Sequence, residues 1–254
     1  MDPRPNRVKR KLQKGQPVLI PVSSPDPDTI EKMGALGIAD ALWIIDMEHG
    51  PWTWRDLSDI SRACDLWGMT SVVRVQYNDP AEIGRALSLG VQTVAVPHCN
   101  TKAEAKRAVD GALYAPKGSR GMGATRHSYG VPNYFQKAND ELMVVVLVED
   151  VEAIKNLKEM LTVEDIDCFF VAPNDLSQSM GAKYMGQIYH PEVQAVVRDA
   201  VKTIVAAGRQ AGTMVNPDNI EDYLKLGLRW LTFSISLEDQ LRQFQTKVTA
   251  IAST

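Results

Sequence analysis

Long apolar runs, paired cysteines and a dominant charge are all missing from this chain of 254 residues. No stretch approaches the roughly 20 apolar residues of a membrane-crossing helix, so a bilayer-spanning protein is not expected. Three cysteines (Cys64, Cys99 and Cys168) are an odd count without paired spacing. A disulfide framework is therefore not expected, and a reducing cytoplasm fits. The net charge of −3 offers no attraction to nucleic acid or an anionic membrane surface. Its first residues, Met-Asp-Pro-Arg-Pro-Asn-Arg, are polar and do not read as a secretory signal. Linkers rich in Pro, Gly or Ser are also lacking, so residues 1–254 read as one domain.

What is present is a soluble composition, 44% apolar and 23% charged, sufficient for a large core. Short apolar runs alternate with segments of helical period. Strands are expected at Pro17–Val22, Ala41–Ile45, Thr70–Val73, Gln92–Val96, Leu142–Val148, Ile166–Val171, Gln210–Val215 and Trp230–Ile235. Helices are expected between them, with Leu237–Ile251 as the last. A short basic helix, Val8–Leu12, comes first and reads as a solvated face. Eight strands alternating with helices are the pattern of an α/β protein, a (β/α)8 TIM barrel. One stretch breaks the rhythm: Tyr114–Tyr134 is long and irregular, as functional loops often are. Its Gly121-x-Gly123 pair follows no strand and lacks a third glycine, so it is not a dinucleotide fingerprint. Arg120 and Arg126 in that loop could serve a distal substrate anion, a neighbouring subunit or only the surface.

Catalytic groups in such barrels sit at the C-terminal ends of the strands. Those positions carry Asp46, Glu48 and His49, then Arg74, His98, Glu149 and Asp175. Glu149 and Asp175 follow adjacent parallel strands and should converge. Close carboxylates repel unless one is protonated or a cation lies between them. A hard divalent ion on oxygen ligands is one reading; capping of the two following helices is the other. With the metal, a 2-oxo acid could bind through its carboxylate and keto oxygens, the ion acting as Lewis acid. Arg74 would add fixed positive charge at a developing enolate oxygen, unless it only pairs with Asp46 or Glu48. The backbone N–H groups of Asn174 and Asp175 could take the substrate carboxylate. His49 has an ordinary pKa suited to proton transfer near neutrality, with Asp46 or Glu48 to orient it. His98, after Pro97, reads as a satisfied loop histidine. Together these groups suit retro-aldol cleavage.

The segments Ile45-Asp46-Met47-Glu48-His49-Gly50-Pro51, Val73-Arg74, Gly90 to Pro97, Arg120-Gly121-Met122-Gly123, Val148-Glu149 and Ala172-Pro173-Asn174-Asp175-Leu176-Ser177 occur in this order. In this combination the sequence resembles the HpcH/HpaI aldolase family, the metal-dependent class II pyruvate aldolases. The resemblance implies a barrel of the phosphoenolpyruvate/pyruvate-binding type whose last helix swaps between subunits, in a hexamer built as a trimer of dimers. It implies a divalent metal (Mg, Mn or Co) on Glu149 and Asp175, His49 as proton acceptor, and Arg74 as transition-state stabiliser. It places the substrate carboxylate at Asn174 and Asp175. The implied reaction is reversible cleavage of a 4-hydroxy-2-oxo acid to pyruvate and an aldehyde. Two positions depart from the dihydroxyheptenedioate aldolases: Leu147 stands where they carry Gln, and Ser88 where they carry an Asp that supports the histidine. Rival expectations are an oxaloacetate-type decarboxylase, which needs no His49, and a barrel that binds metal and 2-oxo acid without turnover.

Overall fold

A computed structural model of the chain describes residues 2–234. Its strands are β1 (Val18–Val22), β2 (Ile45–Asp46), β3 (Val72–Arg74), β4 (Thr93–Val96), β5 (Met143–Val148), β6 (Cys168–Val171), β7 (Ala211–Met214) and β8 (Trp230–Ser234). The helices are α1 (Arg7–Gln13), α2 (Pro27–Leu36), α3 (Trp54–Leu66), α4 (Pro80–Ser88), α5 (Lys102–Ala112), α6 (Tyr134–Lys137), α7 (Val151–Met160), α8 (Pro173–Ser179), α9 (Pro191–Ala206) and α10 (Ile220–Lys225). The helix expected at Leu237–Ile251, and its exchange between subunits, lie outside the described residues.

All eight strands form one parallel sheet in the order β1-β8-β7-β6-β5-β4-β3-β2. Its two edges meet where the Asp40 and Trp43 amides donate to the Leu19 and Pro21 carbonyls, at 2.9 and 3.0 Å. The sheet is thus curled into a TIM-like barrel. The strand expected over Ala41–Ile45 is regular only at Ile45–Asp46. Its pairing is split, with Ala41 bridging to Thr70 on one side and Trp43 to Val22 on the other, so no consecutive run of pairs forms earlier.

The near-continuous apolar strands make sense once both faces are buried. Along β5, Met143, Val145 and Leu147 join the cluster inside the barrel. Val144, Val146 and Val148 alternate outward into the layer under the helices. Inside, the Trp43 ring stacks on Phe170 with centroids 4.3 Å apart, and Trp230 meets both edge-on. Local signals set the surrounding helices. Thr53 and Asp56 form a capping box at α3, with the Thr53 amide 2.8 Å from the Asp56 carboxylate. Gly111 lets α5 close on α4, since a Cβ there would lie 2.7 Å from the Pro80 Cα.

α1 corrects the expectation of a solvated helix. Asn6 caps it and donates to Thr93 at the start of β4, and the Val8 amide donates to Thr70 just before β3. The helix therefore lies across the N-terminal base of the barrel, where Val8 and Leu12 enter the interior cluster. Its cations meet acids on that rim: Arg7 and Lys11 pair with Asp40 at 2.7 and 2.8 Å, Lys9 with Asp167 at 3.2 Å, and Arg10 with Glu141. A cleft of about 480 Å3 beside α1 is lined by the paired cations Arg7, Arg10 and Lys11 together with Arg4, Lys14 and Asp65.

The long loop is anchored to α3 at its far end. Arg126 pairs with Asp65 at 2.6 Å and donates to Ser61 at 2.9 Å, and His127 is buried beside it. Arg126 is thus an internal tether between the loop and α3. Burial pushes the His127 pKa down to about 4, against the pull of Asp65.

Candidate active site at the C-terminal mouth

The C-terminal ends of β2 to β6 bring most of the expected rim residues together. β2 and β3 are in register at Asp46 and Arg74, and the two side chains form a bidentate pair. Arg74 Nε and Nη2 donate to the Asp46 carboxylate at 2.9 and 2.6 Å. Its Nη1 also reaches Glu48 at 3.1 Å. Planar, two-point pairing fixes the guanidinium in orientation as well as place. Burial raises the Asp46 pKa, but Arg74 and the amides of His49 and Glu48 outweigh it, leaving the carboxyl below its ordinary range.

Glu149 stands directly after β5 and is completely buried. One oxygen accepts from the His98 amide at 2.8 Å; the other, Oε2, has no partner among the described residues. Loss of water is the main force raising its pKa to about 7, and the Asp175 charge adds to it. The His98 amide, the His98 ring and Arg74 pull the other way. Asp175 lies in the first turn of α8, and Asn174 and Asp175 are the second and third residues of that helix. Helix amides at these positions have no partner within their own helix.

His98 is a loop histidine with its ring partnered, as read, and its partners also place it in this cluster. It takes a left-handed backbone, with φ of 50°. Its ring lies 3.0 Å from Asp150, 3.4 Å from Glu48 and 3.7 Å from Glu149. Burial opposes charging the ring, yet these three acids outweigh it and raise the His98 pKa above its usual value. His49, in contrast, stands at the outer edge. Its ring is mostly exposed and lies 3.9 Å from Glu48. Asp46 reaches it through the backbone amide, at 3.2 Å, and not through the imidazole. Ser88 bonds the Gly84 carbonyl and Arg120, with no contact to His49 among the described residues.

A cavity of about 300 Å3 opens between these groups. Asp46, Arg74, Asn174 and Asp175 form its polar side, and Trp43, Leu147, Phe170 and Met214 its apolar side. A second, of about 430 Å3, lies beside it between Glu48, His49, Tyr77 and His98. Charged groups converging on an apolar pocket are the usual signature of a small-molecule site. Among the described residues no group of three or more His, Cys, Asp or Glu side chains is arranged to hold a metal. Two carboxylates alone are what a hard divalent ion often receives from protein, with substrate and water completing the shell. The buried, unpartnered Glu149 oxygen, in a carboxyl whose pKa lost hydration and the Asp175 charge push up, fits such an ion.

The sequence profile of the HpcH/HpaI aldolase/citrate lyase family matches residues 19–237. The chain belongs to that family. It is similar to the 4-hydroxy-2-oxo-heptane-1,7-dioate aldolase of Shigella flexneri, with 38% identity over 198 residues, 76% of this chain and 73% of that one. A crystal structure of an HpcH/HpaI aldolase/citrate lyase family protein from Burkholderia cenocepacia superposes with a TM-score of 0.84 at 27% identity. That match covers 97% of this chain and 99% of the other. The citrate lyase beta subunit of M. tuberculosis, solved with oxaloacetate and magnesium, shares the fold at a TM-score of 0.56 and 17% identity, over 89% of this chain and 94% of that one. For a family member, the C-terminal mouth is the expected seat of chemistry.

Proposed function

We propose that the chain is a divalent-metal-dependent aldolase, a carbon–carbon lyase that cleaves a 4-hydroxy-2-oxo acid reversibly to pyruvate and an aldehyde. The observation that carries this reading is the buried, unpartnered Glu149 oxygen within range of Asp175 and Arg74, beside a cavity sized for a small acid. Glu149 and Asp175 would hold the ion, Mg, Mn or Co. Bound there, it would supply Lewis-acid polarisation of the 2-oxo group.

The chain's own residues do the rest. Arg74, locked by Asp46 and Glu48, presents a fixed cation to the 2-oxo oxygen, where negative charge grows as the carbon–carbon bond breaks. The amides of Asn174 and Asp175 bind the substrate carboxylate. Trp43, Leu147 and Phe170 pack against the rest of the pyruvate unit and keep water from that side. His49 accepts the proton of the 4-hydroxyl, and its exposed place at the mouth puts it on the aldehyde half of the substrate. The reaction divides between the two cavities: pyruvate lies in the inner one and the aldehyde leaves through the outer. A hexamer of three dimers exchanging their last helices is the assembly we expect, tested by sedimentation, and unpaired buried cysteines fit a reducing cytoplasm.

The test is pyruvate release from a series of 4-hydroxy-2-oxo acids before chelation, after EDTA treatment and after Mn2+ is restored. Full activity after chelation would overturn the metal role. A second reading, decarboxylation of an oxaloacetate-type acid, is favoured by one observation. Among the described residues the one acid paired with the His49 ring is Glu48, at a long 3.9 Å, and decarboxylation needs no such base. His49→Ala separates the two, abolishing aldol cleavage while sparing decarboxylation.

A further inference from the structure

Away from the mouth, the Arg120 side chain is a buried cation with no opposite charge beside it among the described residues. It sits where the C-terminal ends of α4 and α5 meet, its amide donating to the Leu113 carbonyl at 3.0 Å and its Cγ lying against Gly84. The residue is 6% exposed. Nη2 donates to Ser88 Oγ at 3.1 Å, while Nε and Nη1 are buried and unpartnered. The guanidinium lies over the Tyr114 ring, 4.7 Å from its centroid. Tyr114 is itself 4% exposed, and its hydroxyl also has no partner.

Two buried groups that can donate, one of them charged, therefore pack together, and among the described residues Nε and Nη1 of Arg120 and the Tyr114 hydroxyl have no acceptor. Among the described residues the charged influences on Arg120 are phenols, not carboxylates, and burial pulls its pKa below the ordinary value. A water molecule could accept a hydrogen bond from this pair, but it could not neutralise the charge. Buried guanidinium groups are retained where an anion meets them. The one polar side chain within reach on α4, Ser88, is neutral and spends its own hydrogen on the Gly84 carbonyl at 2.7 Å.

We infer that Arg120 and Tyr114 form an anion-binding niche for a single negative charge, either a small free anion or a carboxylate side chain supplied elsewhere in the assembly. The anion accepts from Nε and Nη1 of Arg120 and from the Tyr114 hydroxyl. Occupancy pins the start of the long loop to α4 and α5, which makes loop order depend on the anion. This niche is separate from the mouth, and its failure would leave the aldolase reading untouched.

The full chain is unfolded thermally in rising chloride, with ionic strength held constant by isethionate, and crystals are soaked in bromide. For a free anion the midpoint rises by about 2–4 °C between trace and saturating chloride. Anomalous bromide density then appears within hydrogen-bond distance of Arg120. For an internal carboxylate the midpoint ignores chloride, and an Asp or Glu oxygen occupies the same place. In the free-anion case Ser88→Asp supplies the charge from α4: its midpoint in isethionate exceeds that of the wild type, and the chloride response disappears. Should the wild type be flat in chloride with neither bromide nor carboxylate at Arg120, the inference is wrong. Bromide density without a chloride response marks binding at crystal concentration only and equally overturns it.

Discussion

Replacing Glu149 by glutamine isolates the electrostatic cost of the mouth. The wild-type carboxyl is fully buried and its pKa is raised from 4.5 to about 7, first by lost hydration and then by the Asp175 charge. Between those two values the folded protein keeps a proton that the unfolded chain has released. The folded state therefore binds more protons, and stability falls as pH rises through this window. The difference of 2.5 units, at about 1.4 kcal/mol each, amounts to roughly 3 kcal/mol lost above pH 7 in metal-free protein. Glutamine keeps the shape and has no proton to lose. Glu149→Gln should match the wild type within about 1 kcal/mol at pH 5 and exceed it by roughly 3 kcal/mol at pH 8 with EDTA present. Urea unfolding at fixed protein concentration across this range gives both curves. Adding Mg2+ at pH 8 should restore wild-type stability and leave the variant unchanged. Parallel curves from pH 5 to 8 would refute the claim that this acid is strained when charged.

Other substitutions probe the remaining parts. Arg74→Lys keeps the charge but loses the two-point pairing to Asp46, so kcat for pyruvate release should fall at least about 100-fold with the fold intact by circular dichroism. Leu12→Ala empties part of the barrel base and should cost about 2–5 kcal/mol in urea unfolding, with little change in KM. Gly111→Ala forces a Cβ to 2.7 Å from the Pro80 backbone and should lower the unfolding midpoint by about 1–3 kcal/mol equivalent; an unchanged midpoint would mean that α4 and α5 do not pack as described.

Residues whose role depends on their own strand were readable in the sequence. Met143–Val148 is apolar at every position because both faces are covered, and Glu149 follows it as an abrupt acid. Asp46 and Arg74 were readable for the same reason, each at a strand end. Roles that depend on several elements at once were hidden. His98 was placed on the rim by its strand end, but its partners Glu48, Glu149 and Asp150 arrive from two other strand ends and were not readable. α1 looked like a solvated basic helix because Asp40, Glu141 and Asp167, which meet its cations, are distant in sequence. The pairing of Arg126 with Asp65 and the fragmented pairing around Trp43 are likewise invisible to local pattern.

With Val8 and Leu12 of α1 closing one end and Trp43, Phe170 and Trp230 filling the middle, the barrel is a cul-de-sac. Among the described residues the interior below the mouth is filled, so whichever half of the substrate lodges deeper must arrive before its companion and depart after it. Ordered kinetics would then follow from the architecture itself: product inhibition by pyruvate competitive with the hydroxy-oxo acid, and by the aldehyde not.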